Sequence, residues 1–287
     1  MAQTTQPSRV ILLPADLFDY ARLVDAYNQT RVDYLVPMPL NAARFQEYSR
    51  VYDISLPHSN VALQDDVLFG LGMLGIRQKR TWVSRLGVLP EGRRQGTGQA
   101  IMDELFRQSH LLKAETIWLE VIKGNIPAHT LFLKCGFEET RELIVARRPP
   151  QPGEDLPPDL RVKQVTPLDH EDALILLSHR QNHPNWLNEI ESFQHVRNLS
   201  ALLVELENGG RGWATYHAGL LQITRVMVEV TAGDPTEVAA AVLHILHQRH
   251  KRQDTVVENL PDNAIWQGSR AAGYFEAVRR IEMKVEL

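Results

Sequence analysis

The stretch that decides the fold is VLPEGRRQGTGQA, residues 88–100, where an apolar run ends at Pro90 and two arginines and three glycines precede a helical pattern. A strand, a glycine-rich turn and the first turn of a helix form a general anion-binding arrangement, because free backbone amides and the helix dipole point at the ligand. No Lys-Ser or Lys-Thr pair follows the glycines, and Ile101 stands where a dinucleotide-binding motif has a third small residue. The stretch therefore predicts a phosphate-binding loop that is neither a Walker A loop nor a dinucleotide-binding loop. Taken alone, it is equally compatible with a plain strand-to-helix connection.

The composition of the chain is that of an ordinary globular protein. It has 287 residues, enough for two domains, with 44% hydrophobic and 23% charged residues and a formal net charge of -4. The missing basic excess argues against a nucleic-acid partner. The sequence begins without a secretory pattern and has no apolar run of membrane-spanning length, so we expect a cytoplasmic protein with no membrane contact. Cys135 is the only cysteine; we expect its side chain to be buried and no metal to be bound.

A proline-rich segment divides the chain. Residues 146–161 contain five prolines and little hydrophobic pattern, which is typical of an extended linker. We predict one domain at 1–146, a linker at 147–160 and a second domain at 161–287.

Hydrophobic periodicity predicts the same order of elements in both halves. In the first half we predict strands at 9–13, 61–63, 67–76, 81–88, 116–122 and 141–146, and helices at 17–28, 42–51, 98–112 and 126–134. In the second half we predict strands at 161–165, 201–206, 212–217, 226–230, 255–257 and 280–285, and helices from 170, at 236–250 and from 263. This order indicates an α/β fold of the α+β, mixed-sheet kind, in two tandem domains that each have a mostly antiparallel central sheet flanked by helices.

Two motifs in sequence order resemble those of the GNAT superfamily of N-acetyltransferases. RRQGTG, residues 93–98, resembles the family's arginine-x-x-glycine-x-glycine signature, and the preceding residues 86–88 with Pro90 resemble its flanking sequence. NIPAHTLFLKCGF, residues 125–137, resembles its asparagine, alanine, leucine-tyrosine and glycine-phenylalanine pattern. Since two signatures in order are more specific than either alone, the chain is identified as a tandem form of this family, with a decayed second copy.

The resemblance implies acetyl-CoA as co-substrate and no metal. It implies that loop amides wrap the pyrophosphate, with charge from Arg93 and Arg94, and that the pantetheine arm lies between the strand ending at Val88 and the strand at 116–122. Asn125 is expected to bond the arm, to cap the following helix, or both. The cofactor-binding residues expected on this basis are Leu86, Gly87, Val88, Arg93, Arg94, Gln95, Gly96, Thr97, Gly98, Gln99, Asn125, Ala128 and Phe132.

The activity implied is transfer of an acetyl group to the amine of a small molecule or peptide by direct attack. Phe132 stands at the usual tyrosine position and cannot donate a proton, which leaves His129, a water molecule or an unprotonated departing thiolate as alternatives. Glu120 shares one face of its strand with Trp118 and Ile122 and is a candidate base, although a structural salt bridge explains it equally well. The weak acid and base favour one alternative function, a coenzyme A-binding regulator without catalysis.

Acceptor contacts are expected from the loop between the first two helices and from the neighbouring strand. Asp33 and Tyr34 lie in that loop, although such a loop can also be an ordered cover that makes no contact with an acceptor. Ser84 and Arg85 are the polar residues of the strand. The negative net charge is compatible with a cationic acceptor, and the sequence is compatible with a monomer or a homodimer.

The second half has acids near the place of the glycine loop. Aligning AAVL, residues 240–243, with QAIM, residues 99–102, puts Asp234 opposite Arg93 and Glu237 opposite Gly96. Carboxylates repel a pyrophosphate, so we predict that this half does not bind coenzyme A in the same way. Its role is expected to be structural, to shape the acceptor pocket, or to mediate self-association.

Overall fold

The computed structural model describes residues 10–36, 39–64, 67–151, 161–181 and 183–287. The chain forms two compact units. The first takes residues up to Thr140 together with Glu282–Leu287, and the second is Arg141–Ile281.

The first unit is built on a mixed sheet. Its elements are β1 (Ile11–Pro14), α1 (Tyr20–Gln29), α2 (Ala42–Val51), β2 (Asn60–Gln64), β3 (Val67–Arg77), β4 (Arg80–Val88), α3 (Thr97–Leu111), β5 (Thr116–Ile122) and α4 (Ile126–Lys134). Strands β1 to β5 lie in sequence order. Each neighbouring pair is antiparallel except β4 and β5, which α3 connects and which are parallel.

The second unit repeats this plan. Its elements are β6 (Glu138–Arg148), β7 (Val162–Leu168), α5 (His170–Ser178), α6 (Ile190–Gln194), β8 (Ser200–Leu206), β9 (Arg211–Ala218), β10 (Gln222–Ala232), α7 (Pro235–Arg249), β11 (Asp254–Pro261), α8 (Ala264–Ala271) and β12 (Phe275–Glu286). The strand order is β7-β8-β9-β10-β11-β6, and β10 and β11, which α7 connects, are parallel. The predicted fold class, two domains with mostly antiparallel mixed sheets flanked by helices, is confirmed.

Two strands belong to units that the sequence does not suggest. β6 follows α4 directly, yet from Arg141 onward it lies in the second unit, where Arg148 is opposite Thr255 on β11. The last residues of β12 lie in the first unit, where the Leu287 amide donates to the Glu115 carbonyl at 2.9 Å. The first unit is therefore completed by residues distant from the rest of it in sequence, and the second begins inside β6.

The predicted boundaries differ from these units for that reason. The division into 1–146 and 161–287 assigns 141–146 to the first domain and 282–287 to the second, the reverse of the observed grouping. Of the predicted linker, residues 147 and 148 belong to β6, and 152–160 lie outside the described residues, as does Arg9 of the first predicted strand.

Capping residues set helix bounds that the apolar pattern placed less well. The predicted helix at 17–28 begins instead at Tyr20, because the side chain of Asp19 accepts the Arg22 amide at 2.7 Å and caps α1. Ala15–Leu17 forms a separate 3-10 turn. Similarly, the carboxamide of Asn41 caps α2, which has its predicted bounds.

Each unit has buried side chains that form a core of its own. In the first, buried side chains of α1 and α2, including Tyr27 and Phe45, pack with β1 to β3. In the second, α7 is almost entirely apolar and buried from Val238 onward, and it packs on β8 to β11. Cys135, expected to be buried, is partly exposed at the end of α4.

Candidate functional site

The candidate site lies where β4 and β5 separate. The strands pair in parallel over a short stretch that ends at Val83 opposite Leu119, and within these fully described strands residues 84–88 have no register partner on β5. A bulge in β4 accompanies the separation, and Arg85 there has a φ of 55°. A positive φ is uncommon for a side chain of this size and persists where surrounding contacts fix it. The bulge turns the end of β4 away from β5 and leaves a cleft.

The first turn of α3 lies just beyond this end of β4. Gly96, the N-cap, has a φ of 86°, and nothing lies within 4 Å of where a Cβ would be. The first bond closing the helix runs from the Ala100 amide to the Gly96 carbonyl at 2.9 Å. In the described part of the chain, none of the backbone amides of residues 95–99 donates to another backbone or side-chain group. These free donors and the dipole of α3 form a site for an anion.

The residues around this turn fit a pyrophosphate. The side chains of Gln95 and Gln99 donate to the Glu91 carbonyl and to Asp103, so they leave the amides uncovered. A Cβ at Gly98 would lie 3.3 Å from the Leu131 side chain, so glycine there allows α3 to pack closely on α4. The hydroxyl of Thr97 is buried and lacks a hydrogen-bond partner. The loop offers backbone donors and no carboxylate at its centre.

Arg93 occupies a different position from the one predicted. Its guanidinium pairs with both carboxylate oxygens of Asp33, at 2.5 and 2.8 Å, and donates to the carbonyls of Val88 and Thr30, each at 3.1 Å. The hydrogen bond from Arg93 holds the pKa of Asp33 below its usual range. Arg93 therefore fastens the loop after α1 to the glycine-rich turn, and the Asp33 carboxylate is already occupied. Arg94 remains exposed beside the turn.

Asn125 both caps and contacts the opposite loop. Its carboxamide oxygen accepts the Ala128 amide at 3.4 Å, and its nitrogen donates to the Tyr34 hydroxyl at 3.4 Å. Both bonds are long, and therefore weak. The structure thus brings Asn125, predicted to contact the cofactor, next to Tyr34, predicted to contact the acceptor.

Glu120 lies on the predicted face of β5 and has a structural partner. Its neighbours in sequence, Leu119 and Val121, are buried on the opposite face, and its carboxylate accepts the indole N–H of Trp82 at 2.7 Å. The Trp82 ring lies 6.3 Å from that of Tyr48 on α2. Glu120 is therefore held at the edge of an aromatic cluster on the α1 and α2 side of the sheet.

His129, one of the alternatives considered as proton donor, lies beside Glu139, and Phe132 at the usual tyrosine position is buried. Nε2 of His129 lies 2.8 Å from an exposed carboxylate oxygen of Glu139, within ion-pair distance. Phe132 is buried, and its ring lies 6.0 Å from that of Phe137.

Sequence reasoning missed the partners of Arg85. Its guanidinium lies 4.1 Å from the Tyr48 ring and 5.1 Å from the Tyr27 ring, and it donates to the Tyr27 hydroxyl at 2.6 Å. The hydroxyls of Tyr48 and Ser84 form a hydrogen bond, and burial raises the pKa of Tyr48 to about 12. Tyr27 and Tyr48 lie on helices that are distant in sequence from Arg85. The only indication of these contacts in the sequence is that both helices precede the strand that carries Arg85.

The corresponding turn of α7 in the second unit is closed. Asp234 caps the helix, and its carboxylate accepts the Glu237 amide at 2.8 Å, while the Glu237 carboxylate accepts from Asn208 at 2.8 Å. Pro235 at the first helical position has no N–H. Matching the starts of the two helices puts Asp234 opposite Gly96, not Arg93, which corrects the predicted alignment by three residues.

The described residues contain neither a metal-binding cluster nor a membrane-spanning helix. Among the described residues, no group of three or more His, Cys, Asp or Glu is arranged to hold a metal ion. No helix in the described ranges has the length and apolar character needed to cross a membrane.

Comparison with known proteins supplies the family of the first unit. Residues 23–137 match the family model described as the acetyltransferase (GNAT) family. No curated protein sequence matches the chain significantly.

Solved structures are similar over nearly the whole chain. A GCN5-related N-acetyltransferase from Sphaerobacter thermophilus matches with a TM-score of 0.69 and 16% identity, over 98% of this chain and 97% of that one. A tandem GNAT protein from the clavulanic acid biosynthesis pathway matches with a TM-score of 0.66 and 12% identity, over 97% and 98% of the two chains. At these identities the likeness shows a shared fold.

Proposed function

Because the first unit belongs to the acetyltransferase (GNAT) family, we propose that it transfers an acyl group, with acetyl-CoA as donor, to the amine of a small molecule or peptide by direct attack. The observation that carries the proposal is the open first turn of α3, whose free amides at 95–99 lie just after the strand that borders the cleft. Acetyl-CoA contains both the pyrophosphate that these donors suit and a thioester-linked acyl group.

Each part of the cleft then has a role. The amides of residues 95–99 hold the pyrophosphate, and the part of β4 left unpaired by β5, residues 84–88, offers backbone hydrogen bonds to the pantetheine amides. Asn125 contributes from α4. A β4 amide near Val88 is our candidate donor to the thioester carbonyl oxygen.

Proton transfer is assigned to Glu120. The acceptor amine must be neutral to attack, and a partly buried carboxylate beside Trp82 can receive its proton directly or through water. Phe132 donates no proton, and Nε2 of His129 lies 2.8 Å from a carboxylate oxygen of Glu139, so we assign no side chain to protonate the leaving thiolate.

The second candidate function is a coenzyme A-binding regulator without catalysis. The buried Phe132 at the usual tyrosine position is the observation that favours it. We propose further that the second unit has no coenzyme A site, since its helix start is capped by Asp234.

One assay separates these functions. Radiolabelled acetyl-CoA is incubated with the protein and a panel of amino acids, polyamines, aminoglycosides and peptides, while cofactor binding is measured by calorimetry. We expect saturable binding and transfer to at least one class, and a loss of kcat of about 100-fold or more in Glu120→Gln. Glu104→Gln, on the outer face of α3, is the matched control. Binding without transfer to any acceptor favours the regulator, and absence of binding contradicts both.

A further inference from the structure

We infer that the cleft of the first unit binds a carboxylate through Arg31 and Arg85, and that one reacting partner, the acceptor amine or the acyl group, carries it. The inference rests on the proposed function and narrows its substrate class. The evidence is a pair of guanidinium groups that the protein leaves without a counter-charge.

Arg85 is the first of the pair. It has one hydrogen bond, from Nη1 to the Tyr27 hydroxyl, and its Nε is buried without a partner. The aromatic rings of Tyr27 and Tyr48 cover its faces. The residue lies at the β4 bulge, next to the part of β4 that β5 leaves unpaired, and is partly buried.

Arg31 approaches the same tyrosine from the other side. Its guanidinium lies 4.7 Å from the Tyr27 ring and 4.2 Å from the Tyr34 ring. Nη2 reaches the carbonyl of Leu86 at a marginal 3.5 Å, while Nε and Nη1 are buried without partners. Leu86 belongs to the unpaired end of β4, so Arg31 also lies at the cleft.

The charges of this cluster do not balance. Within the described residues, neither arginine has a carboxylate at ion-pair distance: Asp33 pairs with Arg93, and Glu120 accepts from Trp82. Tyrosine rings and one hydroxyl offset part of the cost of holding two guanidinium groups away from water. Buried charges are normally paired, because an unpaired one loses its hydration without compensation.

A carboxylate is the anion that fits. Its two oxygens match the planar fork of a guanidinium, and the aromatic surroundings suit a small planar group. The pyrophosphate already has its own donors at α3. An amino acid acceptor would bring such a carboxylate on the amine, and a dicarboxylic acyl group would bring it on the thioester.

The test compares substrates that differ only in this group. Glycine with glycinamide, and phenylalanine with phenylalaninamide, are acetylated from acetyl-CoA at equal concentrations of the free amine. In a second arm, succinyl-CoA and acetyl-CoA are compared with ethanolamine as acceptor. We expect the carboxylate member of one arm to have a kcat/KM about 10- to 100-fold higher, as charged hydrogen bonds provide. The arm that responds identifies which substrate carries the group.

Variants connect the preference to the arginines. In Arg31→Gln and Arg85→Gln the ratio of carboxylate to neutral substrate should fall below about threefold, whatever the rate with the neutral substrate. Arg107→Gln on the exposed side of α3 should keep the full ratio. Circular dichroism melts check folding, and Arg85→Lys retains charge at the bulge if Arg85→Gln unfolds. A purely structural role would slow both members of each pair equally and overturn the inference.

The inference and the proposed function fail in different ways. Transfer without any preference for a carboxylate overturns the inference and leaves the function standing. If no arm shows transfer, the function fails, and calorimetry with coenzyme A present then compares N-acetylphenylalanine with its amide. A preference for the carboxylate that Arg85→Gln removes supports the arginine site, and equal affinities overturn it.

Discussion

Helices α3 and α7 have the same length and the same place in their units, yet they begin in opposite ways. Each has 15 residues and connects the parallel strand pair of its unit. The amides at the start of α3 are free around Gly96, whereas Asp234 accepts an amide of α7 and Pro235 has none to offer. The comparison teaches that an anion site in this fold depends on the residues of a single turn, and not on the architecture that both units share.

The largest effect is expected when the start of α3 is given the acidic residue found at the start of α7. In Gly96→Asp, a carboxylate lies among the loop amides and repels the pyrophosphate, so we expect coenzyme A affinity to fall by about 100-fold or more in calorimetry. Gly96→Asn is nearly isosteric, tolerates a positive φ and carries no charge, so it should lose less than about tenfold. Gly209→Asp, at a φ of 87° in the second unit, is the control for backbone strain. Equal losses for Asp and Asn would show that charge is not the cause.

The strand that completes the first unit provides the next test. Met283 is fully buried, and Met283→Ala should lower the free energy of unfolding by about 2–5 kcal/mol. Since Met283 belongs to the first unit, hydrogen exchange should quicken in β5 more than in β11. The control is Lys284→Ala at the neighbouring position, where the side chain is partly exposed. It should change the free energy of unfolding by about 0.5 kcal/mol or less. Faster exchange confined to β11 would contradict this grouping of residues.

Acid should affect the second unit before the first. On α7, His247 takes the place that Ser109 has on α3, and burial, with Arg148 nearby, lowers its pKa from 6.5 to about 3. The unfolded chain therefore binds a proton that the folded chain does not, and this group's contribution is complete above pH 6.5 and is lost as the pH falls toward 3. The slope reaches about 1.4 kcal/mol per pH unit.

Denaturant melts across that range measure the slope. His247→Gln can still form a hydrogen bond with the Tyr274 hydroxyl and does not titrate, so the slope should decrease by close to one proton. His110→Gln on the exposed end of α3 should leave it unchanged. An unaltered slope in His247→Gln would show that this histidine is not the responsible group.

The smallest effect is expected at the exposed ion pair. Asp33→Asn removes the charge that holds Arg93, and since both side chains are partly exposed the loss of stability should be about 1 kcal/mol or less. Coenzyme A affinity should change by less than about threefold, because the loop amides are untouched. A rise of acceptor KM by more than about tenfold would instead return Asp33 to the acceptor site.

Local patterns predicted much of the fold. The bounds of α2, β5 and α4 agree with the prediction because capping side chains and alternating apolar residues mark them within a few positions. The glycine-rich loop was found for the same reason, since its glycines and the following helix lie side by side in sequence. The two-residue repeat of a β-strand alone predicted the alternating faces of β5, on which Ile117 is buried and Glu120 is partly exposed.

Pairings between distant residues were not predicted. A hydrophobic pattern shows that β6 is a strand but does not identify β11 as its neighbour, so the predicted domain boundaries differ from the two observed units. Arg93 and Asp33 are sixty positions apart, and each was assigned to a different ligand instead of to the other. The offset at Asp234 arose because an apolar helix aligns almost equally well at several registers, and only its cap fixes the start.

The exchange of β12 sets the order in which the protein can be finished during synthesis. Domains ordinarily fold as they emerge from the ribosome, the first one first. Here the sheet of the first unit lacks its last residues until Glu282–Leu287 has been made. At about 5–20 residues per second, that delay after Thr140 is roughly 7–30 s. During this time the part of the chain that is translated first exposes the unpaired edge of β5. A holding chaperone can bind to that edge.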